Sequence, residues 1–180
     1  MLIDPARARL LVVDVQEKLI PSMHDFAPVE HNIGLLARLA GELSLPRLIT
    51  EQYRKGLGPT IASLSALMPD VPVMEKIAFS CLGDPAIREK LTEDFEAQIV
   101  VTGIETHVCV LQTVLELRAA GLSTFVVADA VTSRAPHNRA LALERMAAAG
   151  AHIVSTEMVL FELLRTAAHP SFRLMSRLIR

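Results

Sequence analysis

The sequence predicts an α/β fold: a three-layer, doubly wound, mostly parallel six-stranded sheet with helices on both faces. Three observations lead there. Apolar, β-branched runs such as LLVVDV (residues 10–15) and QIVVTGI (Gln98–Ile104) are continuous rather than alternating, as in strands buried on both faces. Segments of helical period separate these runs, and strands alternating with helices build a parallel sheet covered on both sides. The chain has 180 residues, 51% of them hydrophobic and 21% charged, which suits one folded domain over residues 1–180.

Taken in order, residues 10–15 form the first strand, with Asp14 at its end. Residues 16–28 are irregular around Pro21 and Pro28, and residues 29–43 have helical period. A second strand over residues 46–50 runs into Glu51-Gln52-Tyr53, then a loop with Gly56, Gly58 and Pro59 and a short helix over 61–67. Residues 71–75 make a short third strand with Lys76 at its end. Asp84 and Pro85 suit the N-cap and first position of a helix reaching Thr92. The fourth strand, Gln98–Ile104, feeds a helix through Glu105-Thr106-His107-Val108-Cys109, so Cys109 falls in its first turn. A fifth strand (124–128), a helix (137–149) closed by Gly150, a sixth strand (151–155), a helix (156–166) and a helical tail (171–180) complete the chain. In the tail, Phe172, Met175, Leu178 and Ile179 share a face opposite Arg173, Arg177 and Arg180, which fits docking on its own domain or on a second subunit.

Bulk properties narrow the function. A net charge of −2 offers no basic footprint for nucleic acid. The mean hydropathy of +0.38 is high, yet no apolar run reaches bilayer length, so no membrane partner is expected. A buried parallel sheet and an apolar subunit interface account for it, and a homo-oligomer, dimer or tetramer, is expected. Cys81 and Cys109 are the only cysteines, and Met1-Leu2-Ile3-Asp4 does not read as a signal peptide, so a cytoplasmic location with reduced thiols is expected.

Ligands of such sheets bind outside the carboxyl ends of the strands. Asp14 after the first strand, Lys76 after the third and Cys109 just past the fourth are expected at three adjacent strand ends. Each has a plain alternative: a loop cap, a solvated charge and a small buried hydrophobe. Together, an acid, a base and a thiol make the constellation that nucleophilic catalysis requires. A helix N-terminus favours a thiolate and binds an oxyanion. Asp14 would take the thiol proton, Lys76 would stabilise the thiolate, and backbone N–H groups would hold a tetrahedral oxyanion. Such a site hydrolyses a small amide through an acyl-enzyme.

These residues, within LLVVDVQ, MEK and VTGIETHVCV, resemble the isochorismatase-like cysteine hydrolases, a Rossmann-like family that includes nicotinamidases. The resemblance runs from about Leu10 to Ser155, and TEQYRKGLGPT (residues 50–60) is most similar to the isochorismatase domain-containing subgroup. It implies Cys109 as nucleophile, Asp14 as acid/base and Lys76 as thiolate stabiliser. It also implies a non-proline cis peptide at Ile104–Glu105 that turns the Glu105 N–H towards the oxyanion, with the Cys109 N–H as its partner. Where nicotinamidases carry an Asp-x-His metal pair, this chain has Glu51-Gln52-Tyr53, and no histidine falls between His31 and His107. No metal and no cofactor are therefore expected, and nicotinamide is disfavoured as substrate.

Gln16, Tyr53, Phe79 and His107 flank the strand ends and are candidates for substrate binding, each equally suited to a structural role. Cys81 reads as a buried structural thiol, with a regulatory disulfide to Cys109 as the alternative. Ester or N-carbamoyl hydrolysis is the alternative chemistry. A non-catalytic binding or scaffold protein on the same fold is the alternative class.

Overall fold

The computed structural model describes residues 1–179; Arg180, the end of the anticipated tail helix, lies outside the described residues. Six strands, β1 (Ala8–Val13), β2 (Arg47–Gln52), β3 (Val73–Lys76), β4 (Gln98–Ile104), β5 (Ser123–Thr132) and β6 (His152–Val154), form one sheet in the order β3-β2-β1-β4-β5-β6. Every neighbouring pair is parallel. The chain winds outward from β1 to β3, then returns to the centre and winds the other way from β4 to β6. The crevice between β1 and β4 is thus the topological switch point, where α/β sheets bind ligands.

Successive strand residues serve opposite faces. Leu10 and Val12 join one core with Leu36 of α1 (Phe26–Glu42), Leu160 of α7 (Thr156–Leu164) and Met175 of α8 (Phe172–Leu178). Leu11 and Val13 join another with Ile87 of α4 (Pro85–Thr92), Val114 of α5 (Leu111–Ala119) and Met146 of α6 (Pro136–Ala148). Helices therefore cover both faces, and apolar burial on each side is the main stabilising term. Two single-turn helices, α2 (Arg54–Leu57) and α3 (Ala62–Ser65), cross the loop between β2 and β3. The tail docks on its own chain: Phe172, Leu178 and Ile179 pack on the first core, and Ser171 donates to Glu42 at 2.9 Å.

Several boundaries differ from the sequence expectation. β1 stops at Val13 because Asp14 has φ of +53°, a left-handed conformation that Asp tolerates better than most residues. β5 runs four residues beyond Ala128 because its pairing with β4 shifts register between Val101 and Gly103. Gly103 itself has φ of +113°, and a Cβ there would run into the Val13 carbonyl. Only glycine lets the two central strands approach beside the switch point. The anticipated α4 start is as read: the Asp84 carboxylate accepts from the Ala86 and Ile87 N–H groups at 3.0 and 3.1 Å.

Candidate active site

Three strands deliver the candidate residues to one place, although not as three adjacent ends. β3 is the sheet edge and β2 separates it from β1. Lys76 closes β3, and its extended side chain reaches past β2 to Asp14. The ammonium is 2.5 Å from Asp14 Oδ2, 2.9 Å from Gln52 Oε1 and 3.0 Å from the Phe79 carbonyl. An ammonium has three donors, and all three are taken. Lys76 therefore acts on its surroundings through charge and by holding Asp14, with no proton left to donate to a neighbour.

The Asp14 carboxylate is fully buried and held at both oxygens, by Lys76 at Oδ2 and by the Thr50 hydroxyl at Oδ1, 2.8 Å away. The Asp14 N–H donates to the Thr50 carbonyl at 3.1 Å, so β2 fixes its backbone too.

Cys109 lies in a π-helical turn, Thr106–Val110, that joins β4 to α5. The turn starts at a cis peptide between Ile104 and Glu105. The Val108 and Val110 N–H groups both donate to the Glu105 carbonyl, at 3.0 and 3.3 Å. Arg134 pairs with the Glu105 carboxylate through two hydrogen bonds, 3.0 and 2.9 Å. Cys109 is buried, 7% exposed, and its thiol and the Asp14 carboxylate lie near enough for each to perturb the other's charge.

The electrostatics revise the expectation of a ready thiolate. Burial, and then the negative Asp14 carboxylate, push the Cys109 thiol far above its ordinary range, and Lys76 offsets only part of this. At neutral pH Cys109 is a thiol. Burial also raises the Asp14 carboxyl above its usual value, against the pull of Lys76 and Thr50. Burial alone would lower the Lys76 ammonium, but its acidic neighbours, the Asp14 carboxylate first and the two cysteines after it, outweigh that and hold it above its usual value. Cys81 is pushed up to about 11 by burial and by Asp14. The site rests as a neutral thiol beside a buried acid–lysine pair.

The remaining candidates divide. The Gln16 amide donates to the Gln52 and Gly58 carbonyls at 3.0 and 2.7 Å and accepts from the Gln52 N–H at 2.7 Å. It is a buried strut pinning the end of β2 to the following loop, with its amide committed to backbone. Tyr53 and Phe79 are 49% and 54% exposed, and both touch Lys76 through backbone: the Tyr53 N–H donates to the Lys76 carbonyl at 2.9 Å. They stand at the rim. His107 is half-buried, its Nδ1 3.0 Å from the Ser133 hydroxyl. Among the described residues, no three His, Cys, Asp or Glu side chains are grouped to hold a metal ion. The Glu51 carboxylate instead accepts from the Thr60 N–H and hydroxyl, at 2.7 and 2.8 Å, and faces Arg54 at 3.2 Å. Thr50, Gln52 and Arg134 were not anticipated, because their part depends on strand register and on the lengthened β5.

The isochorismatase domain matches residues 8–158. The chain belongs to the isochorismatase family. Within it, the secreted isochorismatase effector Isc1 of Phytophthora sojae is 38% identical, over 98% of this chain and 86% of its own length. Isochorismatase domain-containing protein 2A of Mus musculus is 36% identical, over 98% and 84%. A solved structure described as MAR1 ribonuclease from Caenorhabditis elegans superposes with a TM-score of 0.93 at 35% identity, covering 99% of this chain and 92% of that one. The YcaC product of Escherichia coli, described as an octameric hydrolase of unknown specificity, superposes with a TM-score of 0.86 at 27% identity, over 98% and 95%. An isochorismatase-family hydrolase on the expected fold is thus in hand. None of its described helices is long and apolar enough to cross a membrane.

Proposed function

We propose that the chain is a cysteine-dependent hydrolase of a small, non-peptide amide, acting through an acyl-enzyme on a single domain. The observation that carries this reading is the buried Asp14 carboxylate, fixed by Lys76 at 2.5 Å at the switch point, with the buried Cys109 thiol in its field. Cys109 Sγ attacks the amide carbon as Asp14 takes the thiol proton. The oxygen of the tetrahedral intermediate is held by the backbone N–H groups of Glu105 and Cys109. Asp14 then passes its proton to the leaving nitrogen, the C–N bond breaks, and the amine departs. Water attacks the thioester carbon as Asp14 takes a water proton. The C–S bond breaks, the proton returns to sulfur, and the acid leaves. Lys76 keeps Asp14 oriented and supplies positive charge while sulfur is anionic. No metal or cofactor takes part in these steps.

In this reading Tyr53, Phe79 and His107 contact the substrate and sort it. The octameric description of YcaC and the exposed Ile77 and Phe79 support a homo-oligomer. Two reduced, buried thiols support a cytoplasmic location. Ester or N-carbamoyl hydrolysis uses the same steps with a different leaving group. The ribonuclease description of the Caenorhabditis elegans protein is a second reading, weighed down here by a net charge of −2.

Incubating wild type and Cys109→Ala with small amides, esters, carbamoyl compounds and an RNA oligonucleotide tests this, with intact mass and product release as readouts. An acyl adduct and amine release in wild type alone are expected. RNA cleavage that survives Cys109→Ala would overturn the proposal.

A further inference from the structure

We propose that Thr50 is a positioning residue that holds Asp14 ionised and in one rotation, with Cys81 setting the direction of the Thr50 hydroxyl; this rests on reading Asp14 as the general base. Thr50 sits fully buried on β2, in register with Val13 of β1, one residue before Asp14. It grips Asp14 twice, its carbonyl accepting from the Asp14 N–H at 3.1 Å and its hydroxyl donating to Oδ1 at 2.8 Å. Lys76 holds the other oxygen, so the plane of the carboxylate is defined from two sides.

A hydroxyl donates only one hydrogen bond, and its direction is normally free to rotate. Here the Cys81 thiol donates to Thr50 Oγ1 at 3.7 Å, which occupies an acceptor position and leaves the hydroxyl proton for Asp14. Cys81 is itself held, its N–H donating to the Thr113 hydroxyl at 2.9 Å. The chain of donors runs Cys81 to Thr50 to Asp14. A donor aimed at a buried carboxylate favours its charged form, opposing the burial that favours the neutral one. The base that must accept a proton from Cys109 is thereby kept free of one. This gives Cys81 a part in the site through Thr50.

The test needs no substrate. The carboxyl carbon of Asp14, labelled with carbon-13 and assigned by its loss in Asp14→Asn, is titrated by NMR in wild type, Thr50→Val, Thr50→Ser and Cys81→Ala. Thr50→Val should raise the Asp14 titration by about one pH unit, the size of one lost hydrogen bond to a buried charge. Thr50→Ser should restore the wild-type value, and Cys81→Ala should raise it less than Thr50→Val. Thermal unfolding checks that each variant folds; if Thr50→Val does not, Thr50→Ala beside Thr50→Ser makes the same comparison. A Thr50→Val value equal to wild type, or a Thr50→Ser value equal to Thr50→Val, would overturn the proposal. With a substrate in hand, the acid limb of kcat/KM should move with the NMR value while KM stays constant. Should Asp14→Asn turn over normally, the general-base reading fails, while the carboxyl titration still judges Thr50.

Discussion

The two sides of the candidate site are built on opposite principles. On the β1–β3 side, Asp14 and Lys76 are buried and every donor of the ammonium has a partner. At the rim, Tyr53, Ile77 and Phe79 stand exposed, Ile77 at 70%. A buried ion pair tolerates no looseness, because an unpartnered charge in the interior costs several kcal/mol. An exposed aromatic changes at little cost to the fold. On the proposed function, the chemistry would be set by the sheet, and selectivity left to side chains that vary without unfolding it.

Substitutions on each side can break or sharpen that contrast. The largest expected effect is on turnover: Cys109→Ala should lower it by about a thousandfold or more with little change in thermal stability, measured on any substrate that wild type hydrolyses. Lys76→Met should lose activity and also destabilise the fold by about 3 kcal/mol, since it leaves Asp14 without its counter-charge; chemical denaturation reads this. A Lys76→Met protein as stable as wild type would show that the buried pair is not what holds this side together.

The pH profile comes next. Asp14 must be ionised to accept a proton, and its pKa is raised by burial, so activity should fall on the acid side at a pH above the ordinary carboxyl value. Lys76 is held above its usual value, so its deprotonation should leave no mark on the profile before strongly alkaline pH. The smallest effects belong to the rim. Tyr53→Ala and Phe79→Ala should each change KM by roughly threefold to tenfold with an unchanged melting temperature. Gln16→Ala should do the reverse, lowering the melting temperature because three side-chain hydrogen bonds to backbone are lost, two at Gln52 and one at Gly58.

How far the sequence was legible follows the same division between local and tertiary information. β4 spans Gln98–Ile104 and α4 starts after Asp84, both as read, because a continuous β-branched run and an Asp-Pro cap are local signals. β1 and β5 were misjudged because a left-handed Asp14 and a register shift opposite Gly103 end or extend strands without a compositional mark. Asp14, Lys76 and Cys109 were legible as strand-end residues, and their motifs resembled the family. Thr50 and Gln52 were not, since their roles need the β2–β1 register and the reach of Lys76 across it. The surroundings of Cys109 were not legible for a similar reason: a helix start beside a lysine suggests a thiolate, but burial and the Asp14 charge, both tertiary, push the thiol up.

The most direct measurement is therefore a titration of the Cys109 thiolate by its ultraviolet absorbance, with Cys109→Ala as the blank, in wild type and in Asp14→Asn. A neutral thiol that relies on a buried carboxylate should titrate above the ordinary thiol range in wild type. It should titrate lower in Asp14→Asn, where the opposing charge is gone, even as turnover is lost. A wild-type thiolate already present at neutral pH, or an Asp14→Asn thiol that titrates no lower than wild type, would contradict the assignment of Asp14 as the base that Cys109 requires.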